Sequence, residues 1–119
     1  MLSLQGADLV FVSAASSGKL RVASYVQELQ TMAIQNGVFV LACNKGGVEH
    51  IEEDVRFFGQ SLIIDPFGGV LAHGPAFEGP ATIRATLELS RLQDYSTRFF
   101  YVRDRRPEIY SLLSKLTHV

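Results

Sequence analysis

The chain has 119 residues, 47% of them hydrophobic, with 11 basic against 12 acidic residues and a net charge of -1. That composition excludes a disordered segment, and the charge balance supplies no field favouring nucleic acid or an anionic membrane. The single cysteine excludes an internal disulfide framework and fits a reducing, cytoplasmic compartment.

Residues Met1 to Gln5 read as the last turn of a helix closed by Gly6, so the chain reads as cut from something longer. They carry no basic region or apolar core of a signal peptide. No apolar run approaches the roughly 20 residues that span a bilayer. Ala7–Ser13 is a near-continuous apolar strand, followed by the small-residue loop Ala14–Gly18. Arg21–Asn36 then carries Val22, Val26, Leu29 and Ala33 at helical spacing, with Tyr25 and Met32 beside them, and Gly37 ends the helix. Val38–Cys43 is a second apolar strand, completing the strand–helix–strand pattern of a parallel pair.

Asn44 to Arg56 read as a loop rich in glycine and acid. Leu62–Ile64 and Val70–Ala72 flank Asp65-Pro66-Phe67-Gly68, where Pro66 presets φ and Gly68 accepts a positive φ, so a β-hairpin is expected. Leu62, Ile63 and Ile64 are apolar on both sides of the pleat, as in a strand covered on both faces. Ala81–Leu89 alternates Thr82, Arg84, Thr86 and Glu88 with Ile83, Ala85 and Leu87, the pattern of a strand with one wet face. Ser90 is expected to cap a helix running to about Phe99, and the tail closes in one or two further helical turns. The strands want cover on both faces that so few helices do not supply. The isolated chain is therefore expected to self-associate, aggregate or need a complementing piece.

Most chemistry-bearing motifs fail on spacing. Gly18-Lys19 lacks both the earlier glycine and the following Ser or Thr of a phosphate-binding loop. Gly59-Gln60-Ser61 lacks the glycine a nucleophile elbow needs where Ile63 stands. Cys43 ends a parallel-type strand, where open α/β sheets place ligands, but its local candidate base His50 sits among acids that raise a thiol pKa. Cys43 is read as a structural or pocket-lining residue. The run Glu49–Asp54 matches no metal-ligand pattern, and His73 and His118 have no partner in sequence. Arg103-Asp104-Arg105-Arg106 is too short and too mixed for a nucleic-acid footprint and suits carboxylate pairing at a subunit or intrachain contact. No metal and no cofactor are expected.

Four segments in order resemble the carbon–nitrogen hydrolase (nitrilase) family: Gly6–Val12, Gln35–Asn44, Phe58–Gly68 and Arg103–Tyr110. The look is nearest to the amidase and N-carbamoyl amide hydrolase branches. The resemblance implies an α/β fold, the C-terminal part of a nitrilase-like α-β-β-α sandwich with an incomplete sheet over residues 1–119. It implies a cysteine that attacks an amide, nitrile or carbamoyl carbon, a glutamate base and a lysine that stabilises the intermediate. In the family all three lie before the turn matched by Met1 to Gln5, so none is expected in this chain, and Cys43 matches a non-catalytic position. By the same resemblance Ala14, Ala15 and Asn44 line the substrate pocket, and Arg103–Tyr110 packs at contacts of a homo-oligomer. Ser13 stands where the family has proline and Ser16 where it often has a bulky aromatic, both on the pocket side.

Three functions follow. The first is a C-terminal portion of a hydrolase of non-peptide C–N bonds, inactive alone. The others are a non-catalytic module that pairs with a full-length relative and an autonomous thiol hydrolase using Cys43.

Overall fold

The computed structural model describes residues 1–50 and 52–115, with the backbone alone at positions 112 and 114. His118, which the sequence leaves without a role, lies outside the described residues. Leu2–Gln5 form a single 3-10 turn, ended by Gly6 at φ 90°. Strand β1 (Leu9–Ala14), helix α1 (Lys19–Asn36) and strand β2 (Phe39–Asn44) then build the expected parallel unit, in register from Leu9 opposite Phe39 to Ala14 opposite Asn44.

Helix α1 stops because Gly37 adopts φ 63°, its N–H returning to the Ala33 carbonyl at 2.8 Å. The position also has no room for a side chain, since a Cβ there would lie 2.3 Å from Cε1 of Tyr95. The buried stripe of α1 is Tyr25, Leu29 and Ala33, packed on Val38, Val40, Ala42, Phe58, Leu62 and Ile64. Val22, Val26 and Met32 are half-buried at its margins, so the stripe is rotated from the expected one towards Tyr25. Each fully buried large side chain in this layer contributes roughly 1.5–3 kcal/mol of transfer free energy.

The expected acidic loop is instead a hairpin, β3 (Gly46–His50) against β4 (Asp54–Phe58), a small antiparallel sheet of its own. Two consecutive glycines, Gly46 and Gly47, and a run of acids hide a strand whose outward side chains are solvated. Strand β5 (Leu62–Ile64) is buried on both faces, as its sequence demands, and pairs antiparallel with β2 and with β6 (Val70–His73). The main sheet therefore has the order β1-β2-β5-β6.

Two-sided burial fails at β1. Val10 and Val12 face α1, whereas Leu9 and Phe11 on the other face are 40% and 58% exposed. The chain is only 21 Å across its thinnest direction, the depth of one helix layer on one sheet. Among the described residues the second face of β1 has no layer above it.

Helix α2 (Ser90–Arg98) begins at Ser90, with Leu89 at the cap position and no side-chain cap. The Ser90 hydroxyl donates to Glu88 Oε1 at 3.2 Å instead of to its own helix, so it is not the expected cap. Ala81–Leu89 keeps the alternating burial read from its sequence but belongs to neither sheet. It has no strand beside it among the described residues. Pro107–Ser114 form a last 3-10 turn, and no helix among the described residues is long and apolar enough to cross a membrane.

Candidate functional site

The C-terminal ends of β1 and β2 open towards the loops after β1 and β4, and Asn44 ties these together. Its side chain is buried. Oδ1 accepts the Ser16 N–H at 2.8 Å, and Nδ2 donates to the Gly59 carbonyl at 2.7 Å. Its backbone N–H donates to Ser61 Oγ at 3.1 Å, which carries the β2–β5 ladder one step past its last rung. Asparagine suits this position because one planar amide offers both an acceptor and a donor. Neighbouring backbone bonds reinforce it: Lys45 N–H to the Ala14 carbonyl at 3.0 Å, and Gly59 N–H to the Lys45 carbonyl at 2.9 Å.

Beside Asn44 lies a cleft of about 320 Å³, lined by Cys43, Asn44, Gln60, Ser61, Glu78 and Ile83 together with glycines and prolines. Gly59 sits at φ 65°, and a Cβ there would come within 2.9 Å of the Pro75 carbonyl oxygen, so this wall closes only with glycine. The next residue, Gln60, holds φ 57° without that freedom, a strained conformation secured by its N–H bond to the Pro75 carbonyl at 3.1 Å.

Of the three residues expected at the pocket, only Asn44 lines this cleft. Ala14 is half-buried and lies opposite Asn44 in the sheet, and Ala15 is exposed at the start of the loop that Asn44 grips. Gln60, Ser61 and Glu78 escaped the sequence reading. The signal in the sequence is Gly59-Gln60-Ser61, an incomplete nucleophile elbow whose first two residues take positive φ.

Cys43 is exposed at the cleft, and its thiol has no hydrogen-bond partner among the described residues. Neither described histidine pairs with it. His50 pairs with Asp54 at 3.0 Å on the exposed hairpin, and His73 is exposed on β6. Behind the sheet, burial pushes the Tyr25 phenol above its ordinary value, the charge of Cys43 adds to that, and Arg21 opposes it. The tail arginines are engaged locally: Arg103 Nε with Asp104 at 2.7 Å and Arg106 Nε with Glu108 at 2.8 Å. Arg103 also lies 3.7 Å from the Phe100 ring centroid. The apolar part of the tail surface includes Tyr101, Ile109 and Leu113, all more than half exposed, with Phe100, Val102 and Tyr110 less so.

The carbon–nitrogen hydrolase family model matches residues 1–97. The chain is 36% identical over 106 residues to the 2-oxoglutaramate amidase of Bacillus subtilis, a match covering 89% of this chain and 39% of that protein. It is 35% identical over 94 residues to the 2-oxoglutaramate amidase of Paenarthrobacter nicotinovorans, covering 76% of this chain and 30% of that one. The crystal structure of a carbon–nitrogen hydrolase from Helicobacter pylori shares the fold, with a TM-score of 0.82 at 24% identity over 95% of this chain and 43% of that one. The chain thus spans less than half the length of the proteins it matches. The family model spans most of the sequence, and the chain belongs to the carbon–nitrogen hydrolases.

Proposed function

We propose that these 119 residues are the C-terminal portion of a hydrolase of non-peptide C–N bonds, acting on small amide, nitrile or carbamoyl substrates, and that they are inactive alone. The observation carrying this reading is Cys43, the only cysteine in the sequence, exposed at the cleft with no hydrogen bond to its thiol among the described residues. Thiolate attack on a carbonyl or nitrile carbon needs an activated sulfur. The nucleophile, its glutamate base and the lysine then come from polypeptide beyond these residues.

In this reading the chain supplies sheet, pocket wall and subunit contact. Ala14 and Ala15 form the small-residue wall next to the nucleophile, and Asn44 holds that wall by fixing Ser16 and Gly59. With both polar atoms of its amide committed within the protein, Asn44 acts as a positioning residue. The exposed apolar residues of Arg103–Tyr110 pack between subunits of a homo-oligomer. A cytoplasmic location suits a lone exposed thiol.

The test is ammonia release from small amides by two preparations. One is the chain alone, and the other is the chain co-expressed with the portion of the Bacillus subtilis amidase that it does not match. Activity only in the second, unchanged by Cys43→Ala, supports the reading. Activity of the chain alone, lost in Cys43→Ala, overturns it in favour of an autonomous thiol hydrolase.

A further inference from the structure

Among the described residues two that are not glycine hold a positive φ, Gln60 at 57° and Phe77 at 59°. Gln60 lines the cleft beside Asn44, and Phe77 directly precedes Glu78, which lines it too. An isolated bridge between Gly59 and Ala76 clamps the two segments together. Gln60 N–H donates to the Pro75 carbonyl at 3.1 Å, and Phe77 N–H donates to the Phe58 carbonyl at 2.9 Å. The Glu78 carbonyl oxygen packs so closely on Gly46 that a Cβ there would lie 2.5 Å from it. A left-handed backbone is costly for a residue with a side chain, most of all a bulky one, and such strain collects at ligand sites.

The side chains placed in this way are uncommitted. Among the described residues neither the Gln60 amide nor the Glu78 carboxylate has a hydrogen-bond or ion-pair partner, although Gln60 is half-buried. Asn44 differs, because both polar atoms of its amide are spent within the protein. The neighbouring cations are engaged elsewhere. Lys45 pairs with Glu49 and lies 4.5 Å from the Phe57 ring centroid, and Arg56 lies 5.4 Å from that of Phe77. Among the described residues lining the cleft, Glu78 is the only one of acidic or basic type. A solvated glutamate on a loop is commonplace, but it needs no strained backbone to hold it; this one has Phe77 before it and Gln60 across the bridge.

We infer that this cleft is the distal subsite of the substrate, and that Gln60 and Glu78 select amides carrying a protonated amine at the end away from the scissile bond. The inference rests on the reading given under Proposed function and goes beyond it by naming the substrate class. An ammonium offers three donors and no acceptor, which the Glu78 carboxylate and Gln60 Oε1 match. A carboxylate at the same end meets the charge of Glu78, and no lysine or arginine lines the cleft to answer it. Ile83 and the glycine and proline walls give the methylenes between the two ends an apolar path. At about 320 Å³ the cleft is at the small end of ligand sites, which suits a short aminoalkyl chain.

The test uses the chain co-expressed with the unmatched portion of the Bacillus subtilis amidase. It compares kcat/KM for ammonia release from 5-aminopentanamide and from adipamate, in which the same methylene chain joins the amide to an ammonium or to a carboxylate. Comparing variants within one assembly cancels whatever the added portion contributes to preference. Glu78→Gln is expected to lower the ratio of the first substrate to the second by about fivefold or more, and Glu78→Lys to lower it further. Gln60→Asn tolerates the same backbone and withdraws the amide by one methylene, so it lowers the ratio in the same direction without lowering the thermal midpoint. Ammonia release with a ratio that no Glu78 substitution moves overturns the inference and leaves the functional reading standing. Binding of pentylammonium and of pentanoate, read by ligand-detected NMR, needs no turnover. An assembly that releases no ammonia but prefers pentylammonium, and loses that preference in Glu78→Gln, keeps the subsite and overturns the functional reading. Neither turnover nor such a preference overturns both.

Discussion

Arg91 reaches from the first turn of α2 to Asp65 at the end of β5, its Nη2 2.7 Å from Oδ2 of a carboxylate that is only 4% exposed. The other carboxylate oxygen, Oδ1, accepts the N–H groups of Phe67 at 2.8 Å and Gly69 at 2.9 Å. Arg91 also covers the Phe67 ring at 5.1 Å. One buried carboxylate therefore shapes the hairpin turn and anchors a helix some 26 residues on. Arg91→Ala is expected to lower stability by about 2 kcal/mol, since a buried acceptor loses its charged donor. Urea unfolding of the variant measures it, and an unchanged midpoint would show the pair to be decorative.

Asp65→Asn separates the two duties of that residue. The amide oxygen still accepts from Phe67 and Gly69, but the pairing with Arg91 loses its charge. Stability should fall by less than in Asp65→Ala, where the turn loses both acceptors. Equal losses in urea would mean that the turn bonds carry nothing.

Gly37 is held by a different constraint, the ring of Tyr95. Tyr95 donates its hydroxyl proton to the Ile34 carbonyl and stacks on Phe99 at 5.1 Å, so the ring has little freedom to withdraw. Gly37→Ala introduces both a left-handed backbone strain and an overlap with this ring. A loss of about 2 kcal/mol or more is expected. A thermal melt that does not shift would contradict the packing described at the end of α1.

These two relationships mark where sequence reading succeeds and where it stops. The strand–helix–strand unit and the β5–β6 hairpin were legible because Val38–Cys43, Leu62–Ile64 and the α1 stripe are long-range consequences of local pattern. The turn chemistry at Asp65–Gly68 was equally plain. That Asp65 would meet Arg91, or Gly37 meet Tyr95, depends on how α2 folds back, which no local pattern encodes. The β3–β4 hairpin was missed because its strands are exposed and its glycines mimic a loop. At the site, Asn44 was expected only through the family resemblance, whereas Gln60 and Glu78 enter the cleft through loop geometry alone.

The buried phenols give a pH dependence. Burial raises both Tyr25 and Tyr95, with further contributions from Cys43 and Tyr101 respectively, against Arg21 in the case of Tyr25. A raised phenol pKa means that the folded state keeps a proton the unfolded state releases. Stability is therefore level below the unfolded value of about 10 and falls as pH rises above it. Tyr25 O–H is buried without a hydrogen-bond partner among the described residues, so Tyr25→Phe should be neutral or slightly stabilising near neutrality and should flatten the alkaline decline. A clearly destabilised Tyr25→Phe at neutral pH would mean that the hydroxyl is bonded after all.

The open face of β1 bears on how the chain behaves by itself. Leu9 and Phe11 lie on one side of an edge strand whose outer backbone is also unpaired in the sheet order β1-β2-β5-β6. Apolar area and a free edge at the same place favour association between copies whenever no other polypeptide covers them. Size-exclusion chromatography of the chain alone should show larger species growing with concentration. Phe11→Lys should reduce them, because a charge on that face opposes burial without disturbing the side turned to α1. The same substitution should also weaken assembly with the unmatched portion of the Bacillus subtilis amidase, since one face serves both. If Phe11→Lys left self-association intact while preventing that assembly, copies of the chain would be meeting through another surface, and the exposed Tyr101 and Ile109 of the tail would be the next place to substitute.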